Sequence, residues 1–236
     1  MSAADPTANP AGLSGPLLVL VRHGQTESNV LKSLDSRPPG PPLNELGRGQ
    51  AEALGAAMAV EPITAVYAST AVRAQQTAAP VAARRGLTVE VVPGVHEVFC
   101  GDLEGRSDEA AREMFDEVYS AWADGDLTRR LPGGESALEL RERFLPTVAQ
   151  LWARHADTPD RLLVLVSHGA AIRLAAGALI GEYADTRYVP NAGRVVLAPL
   201  DGAGSAGEGG WLLKSWDEGS PVPGDSTGGA GDQTPD

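Results

Sequence analysis

The chain has 236 residues, 42% of them hydrophobic and 21% charged, so it can bury a sizeable core as one large domain or two small ones. A single cysteine, Cys100, excludes an intrachain disulfide framework and a cysteine-rich zinc site. With no signal-peptide pattern and no apolar run of membrane length, a cytoplasmic location is expected. A net charge of −12 without a basic run excludes the electrostatic footprint of a protein that binds nucleic acid or an anionic membrane. An anionic ligand would have to be held by a few individually placed cations.

Both ends of the chain are predicted to be disordered tails, because residues 1–15 and 218–236 are rich in Gly, Pro, Ser, Asp and Ala, and the second tail is acidic. Between them, strand-like apolar runs alternate with helical patterns. Residues that can cap a helix precede the first two helices, Asn44 for one and the pair Ser69-Thr70 for the other. The elements predicted in this half are a strand over 16–21, a helix over 44–60, a strand over 64–68, a helix ending near 85 and a strand over 87–92.

The second half continues the alternation. Its predicted elements are a helix over 107–125 capped by Ser107, a long helix over 136–155, a strand over 161–167, a helix over 170–180, and strands over 195–199 and 211–216 that pair as a hairpin. Such alternation predicts an α/β three-layer sandwich, in which helices flank a mostly parallel central sheet. Residues 107–156 are expected to form a helical cap inserted over one edge of the sheet.

Two segments of similar sequence carry histidines at predicted strand ends. LLVLVRHG at 17–24 and LLVLVSHG at 162–169 each indicate a buried strand that stops at His-Gly. In a parallel sheet, ligands bind beyond the carboxyl ends of the strands. If these strands are parallel neighbours, His23 and His168 lie at the same edge, and the glycine after each lets the backbone turn sharply.

Cations and a carboxylate follow the strand ends as well. Arg22 ends the first strand, Arg73 lies in the first turn of the helix after the second, and Glu97 follows the third. Two arginine forks beside imidazoles suit a tetrahedral dianion such as phosphate. A carboxylate would repel that ligand in a simple anion trap, but it is useful as a proton donor to a leaving alkoxide and then as a base toward water.

These residues occur in segments that resemble a known family. RHGQTESN at 22–29 resembles the signature of the histidine phosphatase superfamily, the phosphoglycerate-mutase-like proteins. Further segments that match in the same order are PLNELGRGQA at 42–51, YASTAVRAQQTA at 67–78, HEVFCGDLEG at 96–105, PGGES at 132–136 and VSHGAAIR at 166–173. Because the resemblance covers about residues 16–200, residues 16–217 are expected to form a histidine phosphatase domain.

The resemblance implies a role for each matching residue. It implies that His23 is the nucleophile that forms a covalent phosphohistidine, and that Glu97 is the general acid and base. The residues that it implies hold the phosphoryl oxygens or border their pocket are Arg22, Asn29, Arg73 and His168. No metal or other cofactor is expected, because the arginines supply the positive charge that Mg²⁺ supplies in other phosphoryl-transfer enzymes.

The predicted function is that of a metal-independent phosphomonoesterase acting on a small phosphorylated metabolite. Two alternatives stay open, a cofactor-dependent phosphoglycerate mutase and a non-catalytic phosphoryl-binding protein on the same scaffold. The segment VLKSLDSRPPGPPL at 30–43 is short and proline-rich where the mutases carry a bulkier, more basic segment, which favours hydrolysis. Tryptophans at 122, 152, 211 and 216 suit either a core or a subunit interface, so a homodimer also stays open.

Overall fold

The strands and helices are those of a computed structural model that describes residues 15–200 and 207–217. The strands are β1 (Leu17–Arg22), β2 (Ile63–Ala68), β3 (Val89–Val91), β4 (Leu162–Ser167), β5 (Arg194–Pro199) and β6 (Trp211–Trp216). The helices are α1 (Glu27–Val30), α2 (Glu45–Ala57), α3 (Val72–Arg84), α4 (Glu109–Ala123), α5 (Ala137–Ala153) and α6 (Gly169–Ile180), and a 3-10 turn lies at Gly101–Leu103. The two predicted tails fall outside the described residues, except at Gly15.

The strands form one six-stranded sheet in the order β3-β2-β4-β1-β5-β6. The first four strands of the chain run parallel to one another, β5 runs antiparallel to β1, and β6 pairs antiparallel with β5. The predicted α/β fold with a mostly parallel sheet is therefore confirmed, and so is the pairing of the last two strands. Within the described ranges, none of the helices is both long and apolar enough to cross a membrane.

Alternating side chains of β1 pack into two separate hydrophobic layers. Val19 and Val21 belong to a cluster with residues of α2 and α3, whereas Leu18 and Leu20 belong to a cluster with residues of α4, α5 and α6. Successive side chains of a strand point to opposite faces of its sheet, so the two clusters lie on opposite faces. Helices thus cover both faces, as expected for a three-layer sandwich.

The segment expected to form a cap, 107–156, contains α4 and α5. Phe115 of α4 and Phe144 of α5 belong to the same hydrophobic cluster as the sheet, and Trp152 of α5 donates a hydrogen bond from its indole nitrogen to the carbonyl of Pro16 at 3.1 Å. Helix α5 also packs beside α6. The segment therefore shares the core of the domain, and its role as a cap over one edge of the sheet stays a prediction.

Helix α2 fixes the backbone that follows β1. Its N-cap residue is Asn44, as predicted, and the Asn44 side chain accepts a hydrogen bond from the backbone nitrogen of Gly47 at 2.8 Å. Gly47 packs directly against the backbone of Gly24 and Gln25, and a methyl group at Gly47 would overlap the carbonyl oxygen of Gln25. A side chain at this position would push away the loop that begins at His23.

Replacing Gly47 with alanine is expected to lower the free energy of unfolding by about 2 kcal/mol, because the added methyl group displaces the Gln25 carbonyl. Gly49→Ala is the matched control, since Gly49 lies exposed on the same helix and a methyl group there meets no neighbouring atom. That control should raise the free energy of unfolding by up to about 1 kcal/mol, through helix propensity. Urea unfolding measures both variants, and equal changes would contradict the close contact.

Candidate active site

The pairing of β1 with β4 brings the two predicted histidines together. The strands run parallel with Arg22 opposite Ser167, so the residues that follow, His23 and His168, leave the sheet side by side. Their ring centroids lie 5.1 Å apart in an edge-to-face arrangement. Both residues are buried, with 5% and 0% of their surface exposed, so their surroundings decide their protonation states.

Hydrogen bonds define which nitrogen of His23 carries the proton. Nδ1 lies 2.7 Å from the carbonyl oxygen of Gly24, and because a carbonyl only accepts, Nδ1 must donate. Nε2 accepts a hydrogen bond from Nε of Arg73 at 3.1 Å, so the lone pair lies on Nε2. Burial, followed by the charges of Arg73 and Arg22, holds the pKa of His23 well below its usual value of 6.5. His23 is therefore a neutral imidazole with an available lone pair at Nε2.

His168 is also neutral, and one of its ring nitrogens has no protein partner among the described residues. Its Nε2 lies 2.7 Å from Oγ of Ser69, which itself accepts a hydrogen bond from the backbone nitrogen of Ala71 at 3.2 Å. When the Ser69 hydroxyl donates to Nε2, the ring proton of His168 lies on Nδ1. This buried Nδ1 has no hydrogen-bond partner among the described residues. Burial and then the charge of Arg73 hold the pKa of His168 well below 6.5.

The two predicted arginines are held at fixed positions. Nη1 of Arg22 donates to the hydroxyl of Tyr188 at 3.0 Å and to the carbonyl of Val189 at 2.9 Å, and the guanidinium lies over the Tyr188 ring. Arg73 is 2% exposed, and its Nη2 donates to the carbonyl of Asp35 at 3.0 Å. Side chains anchored in this way keep their positive charges close to a bound oxyanion.

The Glu97 carboxylate lies at the N-terminus of helix α6. It accepts hydrogen bonds from the backbone nitrogens of Ala170 at 3.2 Å and Ala171 at 2.8 Å, and another from Val98 at 2.8 Å. The first N–H groups of a helix have no partner within the helix, and its dipole favours a negative charge at that end. These contacts orient the carboxylate, which lines the same cavity as His23.

Arg143 of helix α5 braces the loop that carries Glu97. Its guanidinium donates to the carbonyl oxygens of Gly94, His96 and Glu97 at 2.8 to 2.9 Å. A half-buried ion pair with Glu135, at 2.7 Å, holds the guanidinium in turn. Residues of two helices, α5 and α6, therefore hold Glu97 and its loop.

Asn29 borders the cavity with its amide group. Its Oδ1 accepts from the backbone nitrogen of Thr26 at 3.0 Å in the capping box of α1, which leaves its Nδ2 for a ligand in the cavity. Asn191 donates to the carbonyl of His23 at 2.9 Å. Asn191 is missed by sequence reasoning, because it lies outside the matched segments and after no parallel strand.

Five of the six predicted site residues line one cavity, and His168 lies directly beside it. The five are Arg22, His23, Asn29, Arg73 and Glu97. The arrangement supplies a neutral nucleophile, cationic and neutral N–H donors for an oxyanion, and a carboxylate for proton transfer. Within the described residues, no group of three or more His, Cys, Asp or Glu side chains is placed to hold a metal ion.

Two further charged residues of the cavity, Asp35 and Arg173, are missed by sequence reasoning. Arg173 leaves a signal, because it is the only charged residue of α6 and lies four residues after Gly169, on the same helical face. Asp35 leaves none, because it lies in a loop whose position depends on distant contacts. Cys100 also lines the cavity, and burial raises the pKa of its thiol, so it is not poised as a nucleophile.

A parallel sheet whose strand ends gather two neutral imidazoles, two anchored guanidiniums and a carboxylate is the architecture of an enzyme that transfers phosphoryl groups through a histidine. The chain belongs to the histidine phosphatase superfamily, because its residues 18–206 match the model of branch 1 of that family. It is therefore a histidine phosphatase, and the family implies a reaction through a phosphohistidine.

Similar proteins of known sequence or structure agree with this assignment. The chain is 34% identical over 168 residues to the glucosyl-3-phosphoglycerate phosphatase of Mycobacterium tuberculosis, which covers 69% of this chain and 74% of that protein. A solved mycobacterial glucosyl-3-phosphoglycerate phosphatase in complex with VO3 has a TM-score of 0.75 at 30% identity, covering 86% of this chain and 100% of that one. The chain is also 31% identical over 229 residues to the PE-PGRS family protein PE_PGRS11 of Mycobacterium tuberculosis; the match covers 89% of this chain but 38% of that longer protein.

The neutral histidines predict a dependence of stability on pH. Each imidazole binds a proton near pH 6.5 in the unfolded chain but stays neutral in the folded protein, so the unfolded state gains protons as the pH falls. Between pH 7.5 and 5.5, each such histidine should lower the free energy of unfolding by about 1 kcal/mol. His168→Gln should remove one of these contributions, as measured by urea unfolding at both pH values. Equal losses in the variant and the wild type would show that His168 ionises in the folded protein.

Proposed function

We propose that this chain hydrolyses a small phosphomonoester in two steps at His23. In the first step Nε2 of His23 attacks phosphorus, so that an N–P bond forms, the P–O bond to the leaving group breaks, and Glu97 gives a proton to the departing oxygen. In the second step water attacks phosphorus while Glu97 takes its proton. The N–P bond breaks and inorganic phosphate leaves.

The protonation of His23 is the observation that carries this proposal. Nδ1 of His23 donates a hydrogen bond to the Gly24 carbonyl, so the lone pair lies at Nε2. Burial keeps the ring neutral. A neutral imidazole oriented through its other nitrogen is a competent nucleophile near pH 7. Arg73 occupies the lone pair here, and its N–H turns to a phosphoryl oxygen when the substrate binds.

N–H donors around His23 stabilise the charge on the transferring phosphoryl group. The proposed donors are the guanidiniums of Arg22 and Arg73, Nδ2 of Asn29 and Nδ1 of His168. The unpartnered Nδ1 of His168 supports its role, because a buried N–H without an acceptor costs about 1–3 kcal/mol that a bound phosphoryl oxygen would recover. Fixed donors of this kind supply the largest share of transition-state stabilisation in phosphoryl transfer.

The proposed substrate class is a phosphorylated glycerate derivative of a sugar. Relatives are named for glucosyl-3-phosphoglycerate, which carries a carboxylate and several hydroxyls beside its phosphate. In this chain Arg173 lines the cavity and suits a carboxylate, while the hydroxyls of Ser28 and Ser33 suit a sugar. Arg173 is held by a hydrogen bond from its Nε to the hydroxyl of Tyr119 at 3.0 Å, which limits its motion.

Trapping of the intermediate tests the nucleophile. Incubation with a radiolabelled phosphomonoester in excess EDTA, followed by an alkaline quench, should leave label on His23 of the wild-type protein that acid removes. His23→Asn should abolish the label and lower kcat by at least about 1,000-fold, because the covalent route is lost. His155→Asn is the matched control, since His155 lies outside the cavity, and should keep kcat within about twofold.

Two results of this experiment would contradict the proposal. Steady hydrolysis by His23→Asn at the wild-type rate would exclude His23 as the nucleophile. Loss of turnover in EDTA, with recovery on adding a divalent metal, would contradict a reaction that depends on the arginines alone.

Substitution of Arg173 tests the substrate class. Arg173→Gln should lower kcat/KM for 3-phosphoglycerate by about 10- to 100-fold, mainly through KM, because a charge-assisted hydrogen bond to the carboxylate is lost. The same variant should change kcat/KM for p-nitrophenyl phosphate, which has no carboxylate, by less than about threefold. Arg129→Gln, which removes an exposed arginine, is the matched control. Parallel losses on both substrates would assign Arg173 a structural role and contradict the carboxylate contact.

A further inference from the structure

A second carboxyl group, that of Asp35, faces the anion cavity. The Asp35 side chain is 16% exposed, and its Oδ2 lies 3.5 Å from Nη1 of Arg73. Neither atom has a hydrogen-bond partner among the described residues, although both are buried. The proposed reaction uses Glu97 as its acid and base, so it leaves Asp35 without a function.

Contacts to the backbone hold the loop around Asp35 in place. Its backbone carbonyl accepts from Nη2 of Arg73 at 3.0 Å. The carboxylate of Glu104 accepts from the backbone nitrogens of Ser36 at 2.9 Å and Arg37 at 3.1 Å, and from the Ser36 hydroxyl. A loop fastened on both sides keeps its carboxyl group in the cavity when a ligand enters.

Charged groups on three other elements face the Asp35 carboxyl group. They are Arg73 of α3, Glu97 of the loop before α4 and Glu104 after the 3-10 turn. Burial raises the pKa of Asp35 above its usual value; Arg73 and Ser28 oppose this shift, and the two glutamates add to it. Before any anion binds, burial therefore already favours the neutral form of the Asp35 carboxyl group more than in a free aspartate.

The arrival of a phosphoryl dianion changes the charge balance around Asp35. Three arginines, Arg22, Arg73 and Arg173, and the carboxyl groups of Asp35 and Glu97 line the cavity, so its net charge is +1 when both carboxyl groups are ionised. An added dianion would leave one uncompensated negative charge in a buried site, next to an ionised Asp35. Like charges brought together in a desolvated site favour protonation of one of them.

We propose that Asp35 takes up one proton from solvent when the phosphoryl dianion binds, and that its neutral carboxyl group then donates a hydrogen bond to a phosphoryl oxygen also bound by Arg73. The proton returns to solvent when inorganic phosphate leaves. Asp35 is then a specificity-determining residue that couples anion affinity to pH. This inference rests on the proposed function only in that the cavity binds the phosphoryl group.

Sulfate is the probe for this coupling, because it is a tetrahedral dianion at every pH between 5 and 9 and does not itself titrate. Burial holds the pKa values of His23 and His168 well below 6.5, so neither histidine should contribute to proton uptake on the alkaline side of that range. Sulfate binding to the wild-type protein, measured by isothermal titration calorimetry, should weaken by up to about tenfold per pH unit on the alkaline side. In buffers of different ionisation enthalpy, the heats should report uptake of up to one proton per sulfate.

Asp35→Asn imitates the neutral carboxyl group and should abolish both the proton uptake and the pH dependence of sulfate binding. We expect it to bind sulfate at least about tenfold more tightly than the wild type at pH 8, with no proton uptake and no dependence on pH. Asp35→Ala, which lacks the donor, should bind more weakly than Asp35→Asn at every pH. Asp102→Asn removes the same charge outside the cavity and should behave as the wild type. Thermal unfolding checks that each variant is folded.

Three outcomes would overturn the proposal, and they differ from one another. Equal sulfate affinity of the wild type and Asp35→Asn at every pH would assign Asp35 to the positioning of Arg73 only. Proton uptake that persists in Asp35→Asn but disappears in Glu97→Gln would show that Glu97, and not Asp35, takes up the proton. Absence of sulfate binding in all the variants and in the wild type would show that the cavity is not the phosphoryl site, and the proposed function would fail with it.

Discussion

The parallel pairing of β1 with β4 is the constraint on which the site depends. Its register sets Arg22 opposite Ser167, and so it places two imidazoles from distant parts of the sequence at contact distance. Because side chains alternate along a strand, a shift of one residue would turn one imidazole toward the other face of the sheet. Burial of that pair next to Arg73 then keeps both rings neutral, which the proposed nucleophile requires.

The alternation of strands and helices could be predicted from the sequence. The start of a helix could be predicted only where the side chain of the N-cap residue itself caps the helix. Asn44 caps α2 with its own side chain, as predicted, and Ser136, at the start of the predicted helix, caps α5 in the same way. The Ser69-Thr70 pair was wrong as a cap, because α3 begins after Ala71 without a side-chain cap and the Ser69 hydroxyl bonds His168 instead. Helix α4 is capped by Asp108 rather than the predicted Ser107.

The same distinction applies to the site residues. Strand ends determine where His23, His168 and Arg22 lie, so a pattern of apolar runs is sufficient to group them. Asp35 is placed by loop contacts to Glu104, far along the chain, and no local pattern encodes such a contact. The roles of the site residues stay predictions, because position alone does not establish chemistry.

The hydrogen bonds from Arg143 to three carbonyl groups of one loop have a consequence for how this scaffold can change. The loop that carries Glu97 is tied to the domain through main-chain atoms, which every amino acid possesses, so the residues of this loop can be exchanged without loosening it. The loop around Asp35, by contrast, depends on the side chains of Glu104 and Arg73, which other residues would not reproduce. Adaptation to new metabolites should therefore proceed in that loop, while the placement of the Glu97 carboxylate is inherited unaltered.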